Sequence, residues 1–323
     1  MLPLVSIIIT CFNREKTIGR AIESAIEQDY PNLEIVISDN QSTDKSWEII
    51  KSHSSRDERI KCFQNDINLG MSANYKIAVE KLSSGDYFSF LNSDDEFVNP
   101  NFISEAVETV SNNPGTYIVK SGIVTQKNNK KYFFTYETEA VENGVQYLER
   151  VEFRDDLGMA GSFVHRQTFI DLKINYNNIN FDYEMVAKVA MYGNIGFIKK
   201  VSYKFLWHSR NLSLNLFHKS NLPDLVAGYD SILAFYKQQT NYNTERSSAF
   251  EFQIKSYLFF MILKYAHIQQ HNEFQLYQGV IKENNAIIAE KILNSSKWRK
   301  FKRRHPFPKL SRFAFKVLSY LPV

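Results

Sequence analysis

The first 110 residues of the chain alternate between short apolar runs and stretches whose apolar residues recur every three or four positions. An unbroken β-rich run predicts a strand covered on both faces, and the helical spacing predicts a helix packed against it. Four such pairs in succession predict a doubly wound α/β domain with a mainly parallel sheet. The predicted strands are Leu4–Thr10, Leu33–Ile37, Ile60–Phe63 and Tyr87–Leu91. The predicted helices are Lys16–Gln28, a helix through Trp47–Ile50, a helix through Ala73–Leu82, and Phe102–Val110. Ser42 or Thr43 is the predicted N-cap of the second helix.

An acidic cluster, Asn92-Ser93-Asp94-Asp95-Glu96, directly follows the fourth predicted strand. Neighbouring carboxylates repel each other and lose solvation beside a buried strand. A divalent cation removes both penalties, since Mg²⁺ and Mn²⁺ prefer hard oxygen ligands, and ligands of open α/β sheets sit outside the carboxyl ends of the strands. The alternative is a solvated turn before a helix that starts at Asn99-Pro100. The cluster alone leaves both interpretations open.

The alternation ends near residue 115, and the later elements are less regular. Strands are predicted at Tyr117–Thr125, Lys131–Thr135, Gly161–Val164, Ile195–Ile198 and Ser202–Leu206, with a helix at Asp182–Met191 and helices only from about Leu222. The predicted organisation is one large domain at 1–215 whose pattern changes near residue 115, a helical region at 216–295 and a basic amphipathic tail at 296–323.

Composition bounds the class of protein. The 323 residues are 44% hydrophobic and 23% charged, which is typical of a water-soluble globular protein. The two cysteines, Cys11 and Cys62, have neither disulfide-framework nor metal-ligand spacing, so both are expected to be buried in the protein core. A reducing, cytoplasmic compartment is expected for such a chain. The chain opens without a basic leader, and its longest apolar run, Tyr257–Leu263, is far below the roughly 20 residues that span a bilayer.

The charge is unevenly distributed along the chain. Ten of the 39 Lys and Arg residues lie in 291–323, which has no Asp or Glu, so the remainder holds 29 basic against 35 acidic residues. Beyond the basic stretch Lys297–Arg304, apolar residues recur at helical spacing from Leu310 to Leu321. A basic stretch beside an amphipathic helix predicts an anchor to an anionic membrane surface. The alternative is a helix packed on the protein's own body, and nucleic acid is disfavoured because no binding module accompanies the charge.

Several ordered motifs together resemble inverting family 2 glycosyltransferases with the GT-A fold. The motifs are PLVSIIITCFNREKTIGRAIESAIEQDYPNLEIVISDNQSTD at residues 3–44, Asn68-Leu69-Gly70, FLNSDDEF at residues 90–97 and Phe181-Asp182-Tyr183-Glu184. The resemblance covers residues 3–210 and is most specific in the first hundred. It implies an enzyme that uses a nucleotide-sugar donor, with a glycosyltransferase domain at 1–215 that has a nucleotide-binding half at 1–115 and an acceptor-side half at 116–215.

The resemblance implies a donor site at the ends of the first two strands, with a UDP-sugar as the expected donor. Thr10, Phe12 and Asn13 stand where such enzymes begin to grip the base and ribose, and an aromatic there can stack on the base. The alternative for Phe12 is a core residue. Asp39 stands where the family uses a carboxylate to accept a hydrogen bond from a uracil-type N–H, and Asn40 replaces a second Asp that is frequent in the family.

Asn92–Asp95 corresponds to the family's DxD-like element, with Asn92 in place of the usual first Asp. Binding of the implied cation, Mn²⁺ or Mg²⁺, therefore depends on Asp94 and Asp95. Asp94 is also a candidate to contact the ribose. The cation would neutralise charge on the departing diphosphate. His208 stands where related enzymes often carry a histidine that reaches the metal or diphosphate; a structural role is its alternative.

Asp182 stands at the position of the family's general base, which takes a proton from the acceptor hydroxyl and allows attack with inversion. The family usually has Glu-Asp here, whereas Phe181 precedes Asp182 in this chain. Glu184 is a possible substitute. Because the helix starts here, capping by the carboxylate is the alternative interpretation.

Five further positions are weaker candidates. Arg210 could face a phosphate, and Lys76 could approach one, although a solvated helix face is the better interpretation of Lys76. His165-Arg166 could line the acceptor pocket, with a surface turn as the favoured alternative. Asp44 is expected to support a turn or the start of a helix.

The leading hypothesis is a metal-dependent inverting glycosyltransferase that moves a sugar to a hydroxyl of a glycan or lipid-linked saccharide, in bacterial surface polysaccharide synthesis, at the inner face of the plasma membrane. The alternative is a catalytically inactive nucleotide-binding or membrane-scaffolding homologue, because Asn40, Asn92 and Phe181 replace usual acids. A nicotinamide-dependent oxidoreductase is disfavoured because Cys11–Arg14 offers no Gly-x-Gly-x-x-Gly after the first strand.

Overall fold

The computed structural model describes residues 2–127, 130–136, 140–151, 158–176, 181–206, 222–240 and 245–255. The chain divides into two compact units. The first comprises residues 1–148 and 157–211, and the second comprises residues 149–156 and 212–323. The predicted tail at 296–323 lies outside the described residues.

The first unit is built on one mixed sheet. Its strands are β1 Val5–Cys11, β2 Leu33–Asp39, β3 Ile60–Gln64, β4 Tyr87–Phe90, β5 Glu96–Phe97, β6 Thr116–Lys127, β7 Lys130–Phe134, β8 Val141–Asn143, β9 Ser162–His165 and β10 Asn194–Leu206. Their order is β3-β2-β1-β4-β9-β6-β10-β5, with β7 on β6 and β8 on β10. The pairs among β1 to β4 and the β6–β10 pair are parallel, which confirms the predicted α/β fold with a mainly parallel sheet in its first half.

Helices flank the sheet and connect the parallel strands. In the first unit they are α1 Ile18–Ile26, α2 Ser46–Ser54, α3 Met71–Ile77, α4 Phe102–Asn112, α6 Arg166–Asp171 and α7 Phe181–Tyr192. The helix α5 Gly144–Val151 ends in the second unit, which also contains α8 Leu222–Gln239 and the helical residues 245–255. A π-helical turn, Ala78–Leu82, continues α3. A helix between two parallel strands lets their carboxyl ends emerge at the same edge.

The central strand β1 is buried on both faces, as its unbroken apolar sequence predicts. Ile7, Ile8 and Ile9 are fully buried. Ile7 and Ile9 lie in the cluster that includes Ile22 of α1, and Ile8 points to the opposite face because side chains alternate along a strand. Each such side chain stabilises the fold by about 1.5–3 kcal/mol, so β1 fixes the middle of the sheet.

Three local predictions were wrong. The start of α2 is supported by Asp44, whose Oδ1 accepts from the Ser46 N–H at 2.9 Å, rather than by Ser42 or Thr43. Residues 194–206 form one strand rather than two, because β10 stays paired with β6 on both sides of an irregularity at Ile198–Val201. Cys62 is only partly buried, because β3 lies at the edge of the sheet.

Buried Glu34 of β2 ties three segments of the first unit together. Its Oε1 accepts from the Ser6 hydroxyl at 2.5 Å and from the Ser84 N–H at 2.6 Å, and its Oε2 accepts from Lys61 Nζ at 2.6 Å. Burial raises the pKa of Glu34, but these hydrogen bonds outweigh it and hold the pKa below its usual value. The ionised carboxylate therefore stabilises the fold.

Replacing Glu34 with glutamine is expected to lower the free energy of unfolding by about 1–3 kcal/mol at pH 7, because a glutamine amide cannot accept all of these bonds. The contribution of Glu34 is present above the pKa of the unfolded chain and is lost as the pH falls through the lower folded pKa. The measurement is urea unfolding at pH 7 and at pH 3. Exposed Glu48 on α2 supplies the control, Glu48→Gln, which should change stability by less than about 0.5 kcal/mol. Equal losses in both variants would contradict the prediction.

The described part of the second unit is helical. Tyr236 of α8 stacks on Phe250 with ring centroids 3.7 Å apart. Glu149 accepts two hydrogen bonds from the guanidinium of Arg246, at 2.5 and 2.9 Å. No helix within the described ranges combines the length and apolar character required to cross a membrane.

Candidate active site

The ends of β1, β2 and β4 meet at one edge of the sheet. Strand β1 lies between the other two, with Cys11 beside Asp39 and Ile8 beside Phe90 in register. The loops that follow these strands therefore lie next to each other, at the position where open α/β sheets bind ligands. They carry the predicted donor-site residues Phe12, Asn13, Asp39, Asn40, Asp94 and Asp95.

Asp39 is fully buried at the end of β2. Its carboxylate accepts from the Ser42 N–H at 2.9 Å, from the Ser42 hydroxyl at 2.5 Å and from the Gln64 amide at 3.0 Å. In this conformation Asp39 shapes the loop after β2. Its contact with a nucleotide base stays a prediction.

Asn40 links the loops after β2 and β3. Its Oδ1 accepts from the Asn65 amide at 3.1 Å and from the Leu69 N–H at 2.9 Å, and its Nδ2 donates to Asn68 Oδ1 at 2.8 Å. The amide both accepts and donates, and a carboxylate could not make the bond to Asn68. This bonding explains why an amide stands where the family often has an acid.

The loop after β1 presents an aromatic ring to solvent. Phe12 is 40% exposed, so it does not belong to the core. Asn13 adopts a left-handed backbone (φ 54°), which asparagine tolerates, and its Oδ1 accepts from the Thr43 N–H at 2.9 Å. Binding of a nucleotide by Phe12 and Asn13 stays a prediction.

Asp94 forms an ion pair with an arginine from the loop after β1. Arg14 Nε lies 3.3 Å from Asp94 Oδ2, and the side chain of Asp94 is 13% exposed. A second Arg14 nitrogen donates to the carbonyls of Phe12 and Asn13. The guanidinium therefore joins the loop after β1 to the acidic loop after β4.

Asp95 is almost completely buried beneath this loop. Its Oδ2 accepts from the Tyr203 hydroxyl and the Asn92 amide, both at 2.8 Å, and its Oδ1 accepts from the Leu206 N–H at 2.9 Å. Burial and then the charge of Asp94 raise the pKa of Asp95 to about 7, and the three hydrogen bonds oppose the shift. Asp94 and Asp95 do not act as a solvated helix cap, since α4 starts only at Phe102.

The chemistry of Asp94 and Asp95 fits a divalent cation. Two adjacent carboxylates, one of them desolvated, form a hard oxygen donor set whose repulsion a cation relieves. Across the described ranges, no group of three or more His, Cys, Asp or Glu side chains could hold a metal by itself. A cation such as Mg²⁺ is usually held by one or two carboxylates together with substrate phosphates, so two suffice. The third predicted ligand, His208, lies outside the described residues, as does Arg210.

Asp182 is the second residue of α7 and is partly exposed. Burial raises the pKa of its carboxyl to about 6, against the hydrogen bonds of nearby backbone N–H groups and the charge of Lys120. Its Oδ1 accepts from the Tyr183 N–H at 3.0 Å. Buried Lys120 donates to the Ala160 carbonyl at 2.9 Å and to the Ser162 hydroxyl at 2.8 Å. These bonds fix the position of the ammonium group of Lys120, whose charge acts on Asp182.

Tyr75 of α3 shows that these groups share one site. Burial raises the pKa of its phenol, and the charges of Asp94, Asp95 and Asp182 raise it further, whereas a hydrogen bond with the Thr10 side chain opposes the shift. Its hydroxyl donates to Asn92, which in turn donates to Asp95, and its ring packs against Phe181, the residue before Asp182. The fold therefore brings Thr10 and the proposed metal ligands together with the proposed base.

The model of the family described as glycosyl transferase family 2 matches residues 6–169 of the chain. The matched segment contains the loops after β1, β2 and β4 and makes up half of the chain. The chain belongs to glycosyltransferase family 2. The part of the site beyond residue 169, including Asp182, lies outside that match.

Among curated family 2 relatives is the Escherichia coli UDP-Glc:alpha-D-GlcNAc-diphosphoundecaprenol beta-1,3-glucosyltransferase WfaP, which is 42% identical over 97 residues, 30% of this chain and 38% of the relative. The chain spans about two fifths of the length of the curated relatives that it matches.

Solved structures share the GT-A fold at low sequence identity. The Staphylococcus aureus TarS 1-349 complex with UDP has a TM-score of 0.68 and 16% identity, over 90% of this chain and 83% of that one. The mannosyltransferase PcManGT from Pyrobaculum calidifontis, in complex with GDP-Man and Mn²⁺, has a TM-score of 0.54 and 13% identity, over 99% and 86%.

Four other candidates have structural partners in this family 2 chain. Glu184 is buried and pairs with Lys188 at 2.7 Å. His165 accepts from the Thr168 N–H at the start of α6. Lys76 is exposed and pairs with Glu80 at 2.7 Å. The neighbouring acceptor-pocket candidate, Arg166, donates to the Val79 carbonyl at 2.9 Å and so binds the π-helical turn.

Four residues of the site were not identified from the sequence: Arg14, Tyr75, Lys120 and Tyr203. Arg14 stands next to Asn13 in a motif already singled out, and its charge beside a donor-binding loop was a usable signal. The other three lie within α3, β6 and β10, where a tyrosine or lysine is indistinguishable from an ordinary core or surface residue.

Proposed function

We propose that this chain is an inverting glycosyltransferase that moves a sugar from a UDP-sugar to a hydroxyl of a lipid-linked saccharide. The observation that carries the proposal is the arrangement around Tyr75, whose hydroxyl bonds to Asn92, the partner of Asp95, and whose ring packs against Phe181, the residue before Asp182. Asp94 and Asp95 would hold the cation that binds the donor diphosphate, and Asp182 would act on the acceptor hydroxyl. Family membership and the UDP complex of TarS support this assignment.

On the donor side, Asp94 and Asp95 would hold a divalent cation. When bound, the cation supplies positive charge to the diphosphate as the sugar departs. Arg14 already pairs with Asp94 and can turn its guanidinium toward a phosphate. Exposed Phe12 offers a stacking surface to the base, beside Asp39 and Asn40. The Mn²⁺ in the PcManGT complex is consistent with a metal-dependent donor site.

On the acceptor side, Asp182 would take the proton of the attacking hydroxyl. A pKa of about 6 leaves the carboxylate ionised at neutral pH yet basic enough to accept a proton in the transition state. The charge of Lys120 favours the ionised form. The hydroxyl, with its proton passing to Asp182, would form the new bond to the anomeric carbon as the bond to the diphosphate breaks on the opposite face, which would invert the anomeric configuration.

The acceptor class and the cellular place are part of the proposal. The diphosphoundecaprenol acceptor in the name of WfaP supports a lipid-linked saccharide and a role in bacterial surface polysaccharide synthesis. The ten basic residues of 291–323 support a peripheral position at the anionic inner face of the plasma membrane. Both substrates of the reaction are available on that face.

The proposal is tested with the full chain, Mn²⁺, a panel of UDP- and GDP-sugars and a polyprenyl-diphosphate-linked monosaccharide. We expect transfer from one UDP-sugar, to give a product whose new linkage has the opposite anomeric configuration by NMR. Transfer from a GDP-sugar alone would overturn the nucleotide assignment, and retained configuration would overturn the mechanism. A chain that binds UDP with Mn²⁺ but transfers no sugar would support the alternative, an inactive nucleotide-binding homologue.

The pH dependence of transfer is expected to follow Asp182. Because the base acts only when ionised, kcat/KM should rise about tenfold per pH unit below its pKa of about 6 and level off above it. The measurement is kcat/KM between pH 4.5 and 8 at saturating Mn²⁺, so that protonation of Asp95 does not limit donor binding. A flat profile across this range would contradict the role of Asp182.

A further inference from the structure

Tyr75 contacts both halves of the proposed active site. It is buried, and its hydroxyl donates to Asn92 Oδ1 at 2.7 Å. Its ring packs edge-on against Phe90, with centroids 5.0 Å apart, and against Phe181 at 5.4 Å. We infer that Tyr75 is a positioning residue that holds Asp95 through its hydroxyl and Asp182 through its ring. The inference rests on the proposed function.

The hydroxyl branch runs through Asn92. This amide accepts from Tyr75 and donates from Nδ2 to Asp95 Oδ2 at 2.8 Å, while its backbone N–H donates to the Tyr203 hydroxyl at 3.2 Å. An aspartate at position 92 could accept from Tyr75 but could not donate to Asp95, and it would add a third negative charge beside Asp94. Asparagine at this point of the acidic cluster is therefore a relay that orients Asp95.

The ring branch runs through Phe181, the first residue of α7. Phe181 is buried between the rings of Tyr75 and Tyr176, the second at 5.9 Å. Asp182 follows it directly, so these aromatic contacts set the position of the proposed base. A glutamate at position 181 would place a charge against two buried rings, which is costly. The two departures from the family's acidic pattern, Asn92 and Phe181, thus both fit Tyr75.

The two branches predict separable effects. Tyr75→Phe keeps the ring and loses the hydroxyl, so we expect the Kd for UDP with Mn²⁺ to rise about 10-fold, with kcat changed less than about twofold. Phe181→Leu keeps an apolar side chain and loses the ring contact, so we expect kcat to fall about 10-fold with the Kd unchanged. A purely structural role for Tyr75 would lower stability in both variants without this division.

Binding of UDP is measured by calorimetry with Mn²⁺ and with EDTA, and kcat by sugar transfer. Tyr30→Phe is the matched control, because Tyr30 is also buried and its hydroxyl donates to the Pro3 carbonyl at 2.7 Å, ahead of β1 and β2 and away from their carboxyl ends; both constants should stay at their original values. In an Asn92→Ala background, Tyr75→Phe should have no further effect on the Kd, since its hydroxyl acts through Asn92.

The outcomes separate the two proposals. Equal Kd values for wild type and Tyr75→Phe, or additive effects of Tyr75→Phe and Asn92→Ala, overturn the positioning role and leave the proposed function intact. A wild-type chain that binds UDP neither with Mn²⁺ nor with EDTA overturns the proposed function, and the positioning role with it.

Discussion

Replacing Asp182 with asparagine is expected to lower kcat by about 10²- to 10⁴-fold, the contribution of a well-placed general base. Asparagine has nearly the same shape as aspartate and can still accept from the Tyr183 N–H, so the start of α7 should be preserved. It cannot take the proton of the acceptor hydroxyl. The Kd for UDP with Mn²⁺ should stay unchanged, because Asp94 and Asp95, and not Asp182, are proposed to hold the cation that binds the donor diphosphate. Sugar transfer and calorimetry measure the two constants.

Two comparisons make the Asp182 result specific. Asp171→Asn, at an exposed aspartate of α6 that pairs with Gln167, should leave kcat unchanged. The residual activity of Asp182→Asn should also lose its rise between pH 4.5 and 6, since the titrating group is gone. A variant with wild-type kcat would show that Asp182 only caps the helix, the alternative that its bond to Tyr183 supports.

Replacing Asp95 with asparagine is expected to weaken the Mn²⁺-dependent binding of UDP by about 100-fold or more, because one of two metal-binding carboxylates loses its charge. Binding measured in EDTA should change little. Asparagine is the informative substitution, because its carbonyl oxygen can still accept from the Leu206 N–H, whereas alanine would remove the acceptors of both the Leu206 N–H and the Tyr203 hydroxyl. Retention of wild-type affinity with Mn²⁺ would exclude Asp95 as a metal ligand.

The same variant is expected to be more stable than wild type in EDTA at pH 8. Burial and Asp94 raise the pKa of Asp95 from 3.8 to about 7. A raised folded pKa means that this group favours the folded chain below the unfolded pKa and that the benefit is lost as the pH rises through about 7. At pH 8 the ionised carboxylate costs up to about 4 kcal/mol, and asparagine carries no such cost.

Urea unfolding in EDTA at pH 8 and at pH 4 measures this effect. The stability difference between Asp95→Asn and wild type should largely disappear at pH 4, where the carboxyl is protonated in the folded chain. Saturating Mn²⁺ should stabilise wild type at pH 8 and leave the variant nearly unchanged. A variant that is less stable than wild type at both pH values would contradict the prediction.

The parallel half of the fold was predictable from the residues. The runs at Leu33–Ile37 and Tyr87–Leu91 were predicted as strands, and β2 and β4 lie there with ends differing by one or two residues. Burial on both faces demands apolar residues at every position, so these strands are visible without any partner. Their acidic ends are visible too, since a buried charge is costly unless it is paired, and acidic clusters therefore stand where a buried strand ends.

Elements that depend on a partner strand were harder to predict. Lys199 and Lys200 interrupt an apolar pattern and suggested a break, but β6 pairs with β10 on both sides of them and makes the segment one irregular strand. Likewise, Ser42 looked like a helix cap, but its hydroxyl donates to Asp39, and Asp44 supports α2 instead. In each case a long-range partner decided between two locally reasonable structures.

The amino-acid sequence by itself determined which segments become buried strands and that Asp39, Asp94 and Asp95 stand where those strands end. Only the tertiary structure decided which side chains meet there. Tyr75 lies 17 residues before Asn92, and Tyr203 and Leu206 lie 108 and 111 residues from Asp95, yet all contact the acidic loop. Local patterns in the sequence indicate which segments are buried, because each buried residue must by itself have a suitable apolar side chain. The pKa and the hydrogen bonds of a carboxylate depend on all of its neighbours, and these become adjacent only when the chain folds.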